Sequence, residues 1–176
     1  ATTKNKLRSA FGNVDGIVAL PNAEGCGCAN NIQIERFLEV LQNYIHHPNV
    51  GGVLIVDLGC EKTNYALLHS YLKLNKQLPS VPCDWLTIQE EGGTRKTVGK
   101  ALNIIKRRLP AVNAVKRQKC FLSDLVVGTE CGASDAFSGI TANAVIGNMV
   151  DKVVSGKGSA ILSEVPEMVG AEHILL

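Results

Sequence analysis

Apolar runs of strand length recur along the chain, each followed by a segment of helix length, and this alternation constrains the fold more than any other feature. The runs are Asp15 to Leu20, Gly52 to Leu58, Asp84 to Ile88, Leu125 to Gly128 and Ser159 to Ser163. Helical patterns lie between and after them: 31–46 with apolar Ile32, Ile34, Phe37, Leu38, Leu41 and Ile45, then 63–76, a basic stretch 94–108 ended by Pro110, 140–154, and a start at Pro166 running toward Leu176. Gly-Val-Leu-Ile-Val-Asp-Leu at 52–58 is nearly continuous in β-branched and aliphatic residues, as a parallel strand covered on both faces requires. Five βα repeats predict an α/β chain with a three-layer Rossmann-like fold. Its sheet is mainly parallel, of about five strands, with helices on both faces.

The 176 residues suffice for one such core, so residues 1–176 are expected to form a single α/β domain, a portion of a larger catalytic region. Apolar residues at 45%, with aromatics at 5%, make that core aliphatic and exclude a disordered chain. No apolar run reaches the roughly 18 residues of a membrane span, and the first residues lack the apolar stretch of a secretory signal. A soluble, cytoplasmic protein is expected. Eighteen Lys and Arg against 16 Asp and Glu leave a net charge of +2, too little for a nucleic-acid footprint. The basic residues gathered between Arg95 and Lys119 read as a solvated helix face.

In open parallel sheets ligands bind beyond the carboxyl ends of the strands. Three of the loops expected there carry a cysteine beside glycine: Glu24-Gly25-Cys26-Gly27-Cys28, Gly59-Cys60-Glu61 and Glu130-Cys131-Gly132. Cys26, Cys60 and Cys131 are therefore expected to face one crevice, with Glu61, Glu130 and Asp135 beside them. The mixed sulfur and oxygen set suits iron, as Fe2+ or an iron–sulfur cluster, with another divalent cation as the alternative. Cys28 is a candidate fourth thiol, whereas Cys83 and Cys120 read as buried, inert thiols. Gly92-Gly93-Thr94 at a helix start suits either an anion or a plain turn with a Thr cap. Ser134, Ser138 and Thr141 suit either a polar substrate or helix capping. None of the four histidines has ligand spacing, and His46 reads as a helix end.

The longer runs around these loops resemble one family. They are Glu24-Gly25-Cys26-Gly27, 47–54 (His-Pro-Asn-Val-Gly-Gly-Val-Leu) with Leu58-Gly59-Cys60-Glu61, Glu130-Cys131-Gly132 with 134–143 (Ser-Asp-Ala-Phe-Ser-Gly-Ile-Thr-Ala-Asn), and Ser163-Glu164-Val165-Pro166-Glu167-Met168 with Gly170-Ala171-Glu172. Together they are similar to the altronate dehydratase and galactarate dehydratase family, which also holds a sulfolactate sulfo-lyase. The chain departs from the family pattern at Asn22-Ala23, where His-Thr is common, and at Ala133 and Ala144.

The resemblance implies an iron-dependent hydro-lyase that converts a sugar acid such as altronate or galactarate to a 2-keto-3-deoxy acid. This chain would be the first part of the catalytic region. Cys26, Cys60 and Cys131, with Glu130, would hold the metal. Glu61 and Asp135 would serve as ligand or base, and Ser134 would contact substrate. Expected partners are the small-molecule substrate and either a second copy or the rest of a longer enzyme, with no nucleic acid and no membrane. The alternative is a non-catalytic Rossmann-like module that binds a small anion or mediates assembly.

Overall fold

The computed structural model describes residues 9–22, 25–27, 31–74, 81–132 and 135–175. The chain divides into two compact units, residues 1–116 and 117–176.

In the first unit, α1 (Ile32–Ile45) is capped by Asn31, whose side chain accepts from the Gln33 N–H, and ends at His46 as anticipated. Strand β1 (Val53–Asp57) leads through a short loop to α2 (Tyr65–Leu74), then to β2 (Cys83–Thr87) and to α3 (Thr94–Ala114). β1 and β2 pair in parallel, from Val53 opposite Cys83 to Asp57 opposite Thr87. The core lies where the apolar faces of the first two helices meet: Leu38 and Ile45 of α1 cluster with Leu68 and Leu72 of α2. Val53, Ile55 and Trp85 of the strands pack against them.

The second unit follows the same strand–helix–strand order. It runs a 3-10 turn (Leu122–Asp124), β3 (Val126–Thr129), a second 3-10 turn (Ala136–Gly139), α4 (Ala142–Ser155), β4 (Ser159–Leu162), a third 3-10 turn (Val165–Met168) and the short α5 (Glu172–Leu175). β3 and β4 are parallel, from Val126 opposite Ser159 to Thr129 opposite Leu162. The turn between α4 and β4 needs glycine at 158. A Cβ there would lie 2.6 Å from the Leu122 carbonyl oxygen and 3.0 Å from that of Leu125.

The architecture is thus mixed α/β with parallel strands, but among the described residues it comprises two two-stranded sheets and not one sheet of about five strands. Residues 15–20 form no strand, and Ile17, Val18 and Leu20 are exposed there. A short apolar run acquires strand structure only where a neighbour accepts its ladder hydrogen bonds, and this run has no paired strand. Pro110 does not end its helix either. The last turn of α3 is held by tertiary contacts: Val112 packs so closely over Gly51 that a Cβ at 51 would meet its Cγ1 at 2.6 Å, and the Asn113 side chain accepts from the Asn13 N–H. These contacts offset the backbone bond that proline removes. The pattern expected at Pro166 to Leu176 resolves into the 3-10 turn and α5.

Leu68 is 1% exposed, so Leu68→Ala should destabilise the first unit by about 3 kcal/mol, measured by urea unfolding. Arg108 of α3 donates twice to Asp84 of β2, at 2.8 and 3.0 Å, with Arg107 at 3.9 Å. The Arg108 hydrogen bonds hold the Asp84 carboxyl below the ordinary range, with partial burial opposing and the charges of Arg108 and Arg107 adding to the effect. An acid with a depressed folded-state pKa stabilises above its unfolded value, roughly 3.9, and that stability is lost as the pH falls through the folded pKa. Asp84→Asn should therefore lower the urea midpoint at pH 7. The difference from the parent should vanish at the acid end of a pH series.

Candidate functional site

The loop after β1 is built by two carboxylates. Glu61 folds back so that its side chain accepts from the Leu58 N–H, at 2.7 and 2.9 Å to the two oxygens, and from the Gly59 N–H at 2.8 Å. Gly59 takes φ +112°, a conformation that suits glycine, and a Cβ there would press on Thr87 and Gln89. Asp57, 4% exposed, uses Oδ2 to accept from Trp85 Nε1 at 2.8 Å and from the Tyr65 N–H at the start of α2 at 3.3 Å. Its Oδ1 is buried without a hydrogen-bond partner. Between these anchors Cys60 is exposed, its thiol free. The next loop extends the same edge, with Ile88 N–H donating to Asp57 O at 2.8 Å and Gln89 N–H to Leu58 O at 3.2 Å.

In the second unit the loop after β3 is tied to the end of β4. The Ser163 hydroxyl donates to the Thr129 carbonyl, and the Cys131 N–H donates to the Glu164 carboxylate at 2.7 Å. Glu130 and Cys131 are exposed, and Asp135 accepts from the Phe137 N–H at 3.1 Å.

Cys60 and Cys131 therefore each follow the carboxyl end of a parallel strand, one in each unit. Cys26 lies exposed in a turn that follows no strand. Among the described residues no three His, Cys, Asp or Glu side chains gather as a metal site. Glu24, Cys28 and Ser134 lie outside the described residues. Cys83 and Cys120, expected to be buried, are exposed. Cys83 opens β2 and keeps one side against a cleft of about 270 Å³ lined by Tyr65, Leu68, His69, Leu72 and Trp85. Burial there pushes its thiol pKa up, and Asp84 beside it adds to the rise. That cleft is apolar and holds none of the candidate site residues.

The remaining polar candidates serve the backbone. Ser138 Oγ donates to Asp135 O at 2.5 Å and Thr141 Oγ1 to Phe137 O at 2.9 Å. Gly93, not Thr94, caps α3, with φ +104°. Lys100 pairs with Glu91, and Arg107 and Arg108 with Asp84, so part of the basic face is engaged in ion pairs. Asp57 and Glu164 were not singled out in the sequence. The signal for Asp57 was a carboxylate closing an otherwise apolar strand, which must find donors once buried.

The model of the D-galactarate dehydratase/altronate hydrolase second domain matches residues 1–113, and that of the D-galactarate/altronate dehydratase C-terminal domain matches residues 122–176. The chain belongs to this family. The two matches fall within the two units. Altronate dehydratase of Bacillus subtilis (strain 168) is 35% identical over 162 residues, which is 92% of this chain and 31% of the relative. Altronate dehydratase of Escherichia coli (strain K12) is 34% identical over 164 residues, with the same two shares. Galactarate dehydratase (L-threo-forming) of Escherichia coli (strain K12) is 36% identical over 141 residues, 78% of this chain and 27% of the relative. The chain thus spans under a third of the length of each of these relatives. Among the described residues no helix is long and apolar enough to cross a membrane.

Asp57 has a direct test, because Trp85 is the one tryptophan of the chain. Asp57→Ala strands the indole N–H and the Tyr65 N–H, which should cost about 1–3 kcal/mol in urea unfolding and shift the Trp85 emission. Asp57→Asn, which keeps an acceptor oxygen, should do less of both.

Proposed function

We propose that this chain is the thiol-bearing part of a sugar-acid hydro-lyase, acting on a 2,3-dihydroxy acid of the altronate or galactarate type and yielding a 2-keto-3-deoxy acid. The observation that carries the reading is the exposed Cys60 and Cys131 beyond the carboxyl ends of β1 and β3, in a chain of the dehydratase family. The exposed thiols suit a soft or borderline metal, and iron fits both them and the neighbouring carboxylates. Cys26 and Cys60 in the first unit and Cys131 with Glu130 in the second are the candidate ligands, each taken within its own unit. Bound there, iron supplies a Lewis acid for the substrate carboxylate and the departing hydroxide.

The protein's own groups do the rest. Asp135 is the candidate base, taking the α-proton; the electron pair left on the α-carbon forms the double bond as the β-hydroxyl leaves, and the enol then tautomerises to the keto acid. Ser134 would contact the substrate. Glu61 already receives the Leu58 and Gly59 N–H groups, and its part is to hold the loop that carries Cys60.

The test is reconstitution of the purified chain with Fe2+ and sulfide in the absence of oxygen, with bound iron, acid-labile sulfide and visible absorption measured beside Cys60→Ser. Iron in the parent that is lost in the variant supports the reading, and the sulfide content separates a cluster from a single ion. Equal iron in both proteins, or none in the parent, contradicts it and favours a non-catalytic module. Dehydratase activity toward altronate and galactarate belongs to the longest protein that contains this chain.

A further inference from the structure

Glu164 adopts φ 61° and ψ 57°, the left-handed region, which a residue with a Cβ enters only at a conformational cost. Lys157 is the other non-glycine residue with positive φ among those described, and its place is explained by the tight turn after α4, where its N–H donates to Val154 O. Glu164 has no such local reason. It stands at the N-cap position of the 3-10 turn Val165–Met168, yet its side chain makes no capping hydrogen bond there. Its carboxylate instead accepts from the backbone N–H of Cys131, 33 residues earlier, at 2.7 Å.

The neighbouring contacts explain how this comes about. The ladder between β3 and β4 ends with Thr129 opposite Leu162. One residue on, Ser163 closes onto the Thr129 carbonyl with both its N–H and its hydroxyl. β3 has then passed into its loop at Glu130 and Cys131, where the strand ladder supplies no acceptor. The left-handed turn at 164 aims a carboxylate at the donor the ladder leaves over. A charged acceptor on a backbone N–H is a stronger tether than a carbonyl.

We propose that Glu164 is a positioning residue for the Glu130–Cys131 pair, its backbone strained so that its carboxylate fixes the Cys131 backbone. The link to chemistry rests on the reading of Cys131 as a metal-binding thiol. Glu164 acts through the Cys131 N–H and touches no substrate.

Three variants of the chain test it: Glu164→Gln, which keeps an acceptor oxygen; Glu164→Ala, which loses it and keeps the strained backbone; and Glu164→Gly, which loses it and releases the strain. The first readout is hydrogen exchange of the Cys131 amide by NMR, with the Tyr65 amide of the first unit as control. The second is titration with Co2+ alone, followed by its thiolate charge-transfer absorption. Ala and Gly should both speed Cys131 exchange about tenfold and weaken Co2+ binding about tenfold, with Tyr65 unchanged and Gln close to the parent. Recovery in Glu164→Gly would show that strain alone disturbed the alanine variant and would overturn the proposal, as would parent-like exchange in all three. If the parent chain gives no thiolate band with Co2+, the metal reading fails, and the exchange data still decide whether Glu164 holds the Cys131 backbone.

Discussion

The Asp57 carboxylate is the contact on which the carboxyl edge of the first unit's sheet depends. A carboxylate buried to 4% exposure must be paid for in hydrogen bonds, and the donors it finds belong to two other elements, the first turn of α2 and the indole of β2. The same helix carries Leu68 and Leu72 into the core, and the same strand brings Trp85 against them. The core and the loop above it are therefore not independent. A shift of α2 over the sheet would break the Tyr65 contact and loosen the loop that presents Cys60.

Parallel strands make such anchors necessary. Where two parallel strands diverge into their loops, the ladder stops and the next backbone N–H groups need acceptors. In the first unit Glu61 supplies them from within the loop, two and three residues after the amides it serves. In the second the acceptor comes from the turn that follows the partner strand, through Glu164. Different residues, in different sequence relationships, meet the same physical demand beside an exposed thiol. That recurrence argues that the position of the thiol backbone matters.

What could be read from the sequence was whatever depends on composition over several residues. Val-Leu-Ile-Val at 53–56 and Leu-Val-Val at 125–127 announced strands that the structure places within one or two residues, and the 3.6-residue spacing of Leu38, Leu41 and Ile45 announced α1. The placement of Cys60 and Cys131 beyond strand ends followed from that topology. Tertiary context was not legible. Ile17 and Val18 look like strand residues but have no paired neighbour, and Pro110 looks like a stop but is outweighed by Val112 over Gly51. Glu61 read as a chemical group because a carboxylate beside cysteine suggests one, while its backbone contacts depend on the path of a loop. The left-handed turn at Glu164 leaves no mark in residue type, since glycine or asparagine would be the usual signal.

The division of labour between oxygen and sulfur at these loops bears on how they would meet a metal. Glu61, Asp57 and Glu164 are engaged by backbone or indole N–H groups, while the Cys60 and Cys131 thiols stand exposed. Each loop is thus organised by its own hydrogen bonds, and the thiol it presents is held in place by groups that need not themselves become ligands. A loop already organised in this way would order little additional backbone on taking up a ligand, and less of the binding free energy would be lost to that ordering. It also separates two roles that a sequence merges. Glu61 and Glu164 anchor the loop backbone beside the cysteines, whereas Asp135 caps the 3-10 turn that follows and, under the proposed reading, remains the candidate base.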